Sequence, residues 1–262
     1  MKLMREFRCY DPPGPSDGDR HWPGGADDAD RFAMFWVLRA VVTGPVDERT
    51  GYLCDLKSMD RMLCDTVIPR LVERATATDG KPGAVAPALA AVFALAARNC
   101  SEPVSLYSLQ LIVSPFLSFT VMEGEPQMVC VTRRFEFCAA HRLGGKDMTD
   151  DENRRIFGPC GNPNWHGHNY VLEVTVRGTP DERTGTVVNP PDFTAAVRKR
   201  VLDAVDHKNL NLECREFASL NPSVENLARV IWKRLDGAFG AARLASIRVW
   251  ETSKTYAEYS GP

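Results

Sequence analysis

The sequence predicts an α+β fold of two tandem modules, residues 1–125 and 126–262, each an antiparallel four-stranded sheet with two helices. Three observations carry this. The 262 residues are long for one hydrophobic core and comfortable for two. The segment VTGPVDERTGYL at Val42–Leu53 returns as VRGTPDERTGTV at Val176–Val187, with an identical DERTG in each. A strand-like alternating run precedes each copy (RFAMFWVLRAVV, NWHGHNYVLEVTV) and an amphipathic helix-like run follows it, so the repeat extends to whole modules.

The polar, turn-forming EGEPQM around Gly124–Met128 marks the boundary. In the second module strands are expected near Val129–His141 and His166–Arg177. The prolines of NPPD, Asn189–Asp192, fit the first turn of a helix whose Phe193, Val197, Val201 and Val205 form one buried stripe. A second helix follows Pro222, capped by Ser223, with Val224, Leu227, Ile231 and Leu235 inward. Strands at Leu244–Glu251 and Thr255–Tyr259 close the module, and helices cover one face of a sheet whose edges need partners. The first module reads similarly, with helices around Lys57–Glu73 and Ala84–Arg98 and closing strands near Leu106–Val121.

A formal charge of -2 gives no reason to expect nucleic acid, and 44% hydrophobic with 25% charged residues is ordinary for a soluble protein. The apolar stretches Val85–Ala97 and Ser105–Val121 are broken by Pro87 and Pro115 and fall short of a membrane span. The start, MKLMREFRCYDPP, has no apolar signal core, so the protein is expected in the cytoplasm. Eight cysteines without CxxC pairs favour neither a disulfide framework nor a thiolate zinc knuckle, and most are expected to be small core residues.

In HGHNY, period-two geometry puts His166 and His168 on one strand face, where both imidazoles reach a single ion, and Gly167 leaves room between them. His141 ends the strand FEFCAAH. Three neutral imidazoles with one open position are the donor set of a catalytic zinc, which polarises a bound oxygen. An isolated HxH is more often a polar strand surface, and the surrounding strings decide between the two.

Those strings are AAHRL, ENRRIFGPCGNPNWHGHNY, VDHKNLN, NPSVENLA and VWETS, in that order. With them, Val129–Gly261 closely resembles the family of 6-pyruvoyltetrahydropterin synthases, which includes the 6-carboxytetrahydropterin synthases of the queuosine pathway. The resemblance implies a tunnelling fold (T-fold) whose trimers close into barrels, a Zn2+ held by His141, His166 and His168, and Cys160 as a base on the substrate side chain. It implies that Asp206 orients His207 for proton transfer, and that Glu251 anchors the pterin ring by accepting two hydrogen bonds from it. Glu225 and Ser223 fall at a second ring-contacting position, where an acidic first-turn residue also serves a helix dipole. Val224 departs from the Ser or Thr common there. A metal-adjacent Cys160 is expected to have a lowered pKa.

The substrate so implied is 7,8-dihydroneopterin triphosphate. The spacing CGNPNWHGH resembles the 6-pyruvoyl branch, whereas the 6-carboxy branch also cleaves the side chain and releases acetaldehyde. A non-catalytic pterin-binding or assembly protein is the reading from another class. Arg154, Arg155 and Lys208 are candidates for holding the triphosphate. By the DERTG offset His166, His168 and His207 correspond to Phe32, Met34 and Glu73, and aligning the terminal strands puts Glu251 opposite about Val113. His21, near Asp19 and Trp22, reads as a loop residue. The first module is therefore expected to be a degenerate scaffold copy, with three two-module chains forming a homo-oligomer and neither nucleic acid nor membrane as a partner.

Overall fold

The computed structural model describes residues 1–11, 34–77, 82–100, 102–145 and 147–262. Asp19, His21, Trp22 and Phe32 lie outside the described residues. The chain forms two compact units, one of Met1–Val131 with Gly178–Val187, the other of Thr132–Arg177 with Val188–Pro262.

The first unit runs β1 (Lys2–Asp11), β2 (Met34–Thr43), α1 (Leu56–Met62), a π turn (Leu63–Val67), α2 (Ile68–Ala77), α3 (Val85–Arg98), β3 (Ser105–Ser114) and β4 (Leu117–Met122). The strands pair antiparallel in the order β1-β2-β3-β4. β1 is a strand the pattern did not announce, because Lys2, Arg5, Glu6 and Arg8 break up its apolar positions. Asp55 caps α1 by accepting the Lys57 and Ser58 amides. Leu89, Val92, Phe93 and Ala96 recur at helical spacing on α3 and bury it against β3 and β4.

In the second unit the elements are β5 (Val129–His141, entering the unit at Thr132), α4 (Asp150–Phe157), β6 (His166–Gly178), α5 (Pro190–Val197), a π turn (Arg198–Leu202) and α6 (Asp203–Val205). There follow β7 (Lys208–Asn209), α7 (Leu210–Glu213), α8 (Val224–Leu235), β8 (Arg243–Thr252) and β9 (Thr255–Tyr259). The order is β5-β6-β8-β9, with β6, β8 and β9 antiparallel. Thr132 meets Thr175 near one end of β5 and His141 meets His166 at the other, so β5 and β6 run in opposite directions. The short β7 pairs parallel with β5 at Ala139 and Ala140. Asn189 caps α5, whose first turn holds the expected prolines, and Ser223 caps α8. Leu227, Ile231 and Leu235 of α8 are fully buried against β8 and β9.

The two DERTG loops fold alike. Asp47 Oδ1 accepts the Arg49 and Thr50 amides and the Thr50 hydroxyl, at 3.0, 2.8 and 2.9 Å. Asp181 Oδ1 accepts the Arg183 and Thr184 amides and the Thr184 hydroxyl, at 3.1, 2.8 and 2.9 Å. Gly51 and Gly185 then take φ of 71° and 68°, the left-handed region that glycine enters without a Cβ clash. Each loop follows a strand that bulges at the same point, between Val41 and Val42 on β2 and between Thr175 and Val176 on β6.

The expectation that most cysteines are core residues is corrected. Among those whose burial is described only Cys214 is buried, and Cys138 is exposed. Cys130 and Cys138 fall on the alternate face of β5 from buried Val129, Val131, Phe137 and Ala139. Among the described residues no helix is long and apolar enough to cross a membrane.

Candidate metal centre and active site

The ends of β5 and β6 bring His141, His166 and His168 together, the one such cluster among the described residues. His141 is fully buried. Its Nδ1 lies 2.8 Å from the Pro222 carbonyl just ahead of α8, and its Nε2 lies 3.0 Å from His166 Nε2. A neutral ring donates Nδ1–H to that carbonyl and turns its bare Nε2 to the cluster centre. Burial, followed by His166 and His168, pushes the His141 pKa down to about 4, and burial also lowers that of His166. Both are therefore in the form that binds metal.

The donor set fits a zinc ion. His168 Nε2 is buried with no hydrogen-bond partner, an expensive arrangement unless a cation meets it. Beneath the cluster the fully buried Tyr170 stacks on Phe137 at 4.9 Å and sets its hydroxyl 3.4 Å from His141 Nδ1. Burial raises its pKa, with Glu251 and Cys160 adding to the shift.

Glu251 Oε1 lies 3.4 Å from His141 Nε2 and 3.7 Å from His168 Nε2. It reaches there because β8 bulges between Trp250 and Thr252, leaving Glu251 as the residue without a partner on β9. Cys160 sits in a 3₁₀ turn after α4, and its carbonyl accepts the amide of Leu143, two residues past His141. Burial first and the Glu251 charge second push its thiol pKa up. The protein groups alone therefore do the reverse of the lowering expected from sequence, which requires the charge of a bound cation.

Asp206 and His207 stand at the edge of β5 opposite β6. Asp206 Oδ1 accepts the Cys138 amide at 2.9 Å and lies 2.9 Å from His207 Nδ1. The Cys138 amide is the largest cause holding that carboxyl below the ordinary range, followed among the lowering causes by His207. The His207 ring is 81% exposed, so the structure pairs these two residues without docking them onto the cluster. His207 borders an open groove of about 470 Å³ that Cys138, His168, Asn169, Lys208 and Asn209 also line. Ser223 Oγ accepts the Asn226 amide as helix cap, Val224 is buried, and Glu225 is exposed in the first turn. Of the triphosphate candidates, Arg154 and Arg155 are exposed on α4 and Lys208 pairs with Glu213 at 3.1 Å.

Sequence reasoning passed over the asparagines that brace the chain after His141. Asn211 accepts the Arg142 amide and donates back to its carbonyl, at 2.8 and 3.0 Å. Asn221 accepts the Gly144 amide, and buried Asn153 accepts that of Gly145. All three lie in the strings that carry the resemblance, which was the available signal. Among the described non-glycine residues, positive φ falls only at Trp165 (58°) and His207 (57°), next to a cluster histidine and in the exposed pair. Each position costs about 1–2 kcal/mol, and such strain concentrates at functional sites.

Comparison with known proteins converges on the same half of the chain. A family model described as 6-pyruvoyl tetrahydropterin synthase matches residues 130–262. The human 6-pyruvoyl tetrahydrobiopterin synthase is 40% identical over 131 residues, covering 50% of this chain and 90% of the human protein. A 6-carboxy-5,6,7,8-tetrahydropterin synthase of Haemophilus influenzae is 28% identical over 152 residues, covering 50% of this chain and 99% of its own. Among solved structures, the Caenorhabditis elegans 6-pyruvoyl tetrahydropterin synthase is 34% identical with a TM-score of 0.49, covering 52% of this chain and 96% of that one.

Proposed function

Since the chain belongs to the 6-pyruvoyl tetrahydropterin synthase family, we propose that it is a zinc-dependent lyase converting 7,8-dihydroneopterin triphosphate to 6-pyruvoyltetrahydropterin with loss of triphosphate. The observation that carries this is the meeting of three imidazoles, two of them held uncharged, with the Glu251 carboxylate. Higher identity to the 6-pyruvoyl relatives than to the 6-carboxy ones supports the branch.

His141, His166 and His168 would hold the zinc, and when bound it polarises an oxygen of the substrate side chain. Glu251 accepts the amino-amide edge of the ring, with Ser223 and Glu225 as further contacts at the start of α8. Cys160 takes a side-chain proton, and Asp206 holds His207 in the tautomer that passes protons during elimination and tautomerisation. The second reading is a 6-carboxytetrahydropterin synthase acting on the same substrate, favoured by the match to nearly the whole Haemophilus protein. A non-catalytic pterin-binding protein is a third.

The first half is read as a degenerate copy of the module. The shared loop, bulge and π turn support this, with three chains assembling six modules around up to three live sites. Light scattering showing a fully active monomer would count against the assembly. Mass spectrometry of products from zinc-loaded protein and 7,8-dihydroneopterin triphosphate tests the chemistry. A 6-pyruvoyl product supports the proposal, a 6-carboxy product with acetaldehyde the second reading, and untouched substrate the third.

A further inference from the structure

We propose that Trp165 is a stacking platform for the heteroaromatic ring of the substrate, kept at a backbone position that suits glycine because its indole serves the ligand and not the fold. This rests on the pterin substrate proposed above and adds a ring-contacting residue beyond Glu251, Ser223 and Glu225.

Residues Asn162–Trp165 form a tight turn. The Trp165 amide donates to the Asn162 carbonyl at 3.1 Å, and the Asn164 amide to Asn162 Oδ1 at 2.9 Å. Trp165 then takes φ of 58°, immediately before β6 begins at His166. The left-handed region is where a chain places glycine or asparagine, and a bulky aromatic there is an outlier. Burial does not account for the choice. Trp165 keeps 36% exposure, and among the described residues its indole has neither a ring partner nor a hydrogen bond. A side chain held against its backbone preference, with no partner in the fold to compensate, points to a use outside the fold.

Its place in the chain is the rim of the candidate centre. Trp165 directly precedes His166, whose Nε2 lies 3.0 Å from that of His141. The approach to the turn is fixed from the end of β5, where the Leu143 amide donates to the Cys160 carbonyl at 2.9 Å and Arg142 Nε to that of Gly161 at 3.0 Å. An aromatic on so fixed a backbone has little freedom left to lose when a ligand stacks on it. The other rings around the centre are engaged. Phe137 and Tyr170 are buried and stack on each other, and Trp250, next to Glu251, packs on Tyr256 with ring centroids 4.3 Å apart. A fused ring whose edge is held by Glu251 keeps its face free for an indole, and such stacking is worth about tenfold in affinity.

The test is calorimetric titration of the full chain, supplied with zinc, with unsubstituted pterin, alongside thermal unfolding, for wild type, Trp165→Gly and Trp165→Phe. Trp165→Gly is expected to bind pterin about tenfold more weakly. It should also unfold at a temperature no lower than wild type, because glycine enters the left-handed region freely. Trp165→Phe keeps a ring and should retain most of the affinity. Pterin binding by Trp165→Gly equal to wild type would overturn the platform, and so would a Phe variant as weak as the Gly one. Weaker binding together with earlier unfolding in both variants would make the indole a packing residue and overturn it too. Loss of assembly by light scattering at unchanged pterin affinity would assign the indole to an interface between copies instead. A wild type that binds no pterin would remove the proposed function itself, an outcome distinct from all of these.

Discussion

The loops after β2 and β6 make the same set of hydrogen bonds around Asp47 and Asp181, and the strands leading into them bulge at the same place. Each unit pairs four strands in chain order with helices between the second and third, and each interrupts its first such helix with a π turn, Leu63–Val67 or Arg198–Leu202. The strand registers pair Val37 with Ile112 and Val171 with Trp250, so the place of Glu251 is taken in the first unit by Val113. Exposed Glu73 stands on α2 at the repeat position of His207. The framework thus follows short backbone patterns, while the candidate site residues are a few side chains at strand and helix ends. Those side chains can change without disturbing the framework.

Replacing a cluster histidine should break the comparison most completely. His168→Ala is expected to abolish both bound zinc and turnover, read by metal analysis and product assay, whereas Glu73→Ala in the first unit should leave both unchanged. Next in size is Cys160→Ala, with a loss of about 10²–10⁴ in turnover and full zinc content. Cys100→Ala, at a thiol that burial also pushes up, should be silent. Unchanged turnover in Cys160→Ala would remove its proton-transfer role.

A third pair probes what the units share. Leu38 and Leu172 are fully buried at matching repeat positions of β2 and β6. Truncation of either to Ala should cost about 2–5 kcal/mol, measured by denaturant unfolding. A neutral Leu38→Ala would mean that the first unit lacks a packed core of its own.

Much of this was legible in the sequence because burial imposes a period. The stripe of Phe193, Val197, Val201 and Val205 and the alternation around His166 and His168 are direct consequences of helix and strand geometry. Helix α4 escaped because DDENRRIF has no apolar stripe, although its capping box, Thr149 with Glu152, was written in the sequence. Glu251 was named only through the resemblance, since a bulge removes the alternation that would say where a side chain points. The bracing by Asn153, Asn211 and Asn221 depends on loops meeting across 8, 69 and 77 residues, which no local pattern encodes.

The smallest expected effect tests the comparison most closely, because it asks whether the two DERTG loops are equivalent in energy as well as shape. The Thr50 amide is the largest cause holding the Asp47 carboxyl below its ordinary range, and the Thr184 amide does the same for Asp181. A carboxyl with a depressed folded pKa contributes stability above its unfolded value, near 3.8, and loses it as pH falls through the lower folded value. At neutral pH, Asp47→Ala and Asp181→Ala should therefore each speed amide exchange at Thr50 or Thr184, by similar factors. Each difference from wild type should shrink as pH drops below about 3.8. A marked effect at one loop beside none at the other would show that the repeated sequence has kept its shape in both places and its energetic role in only one.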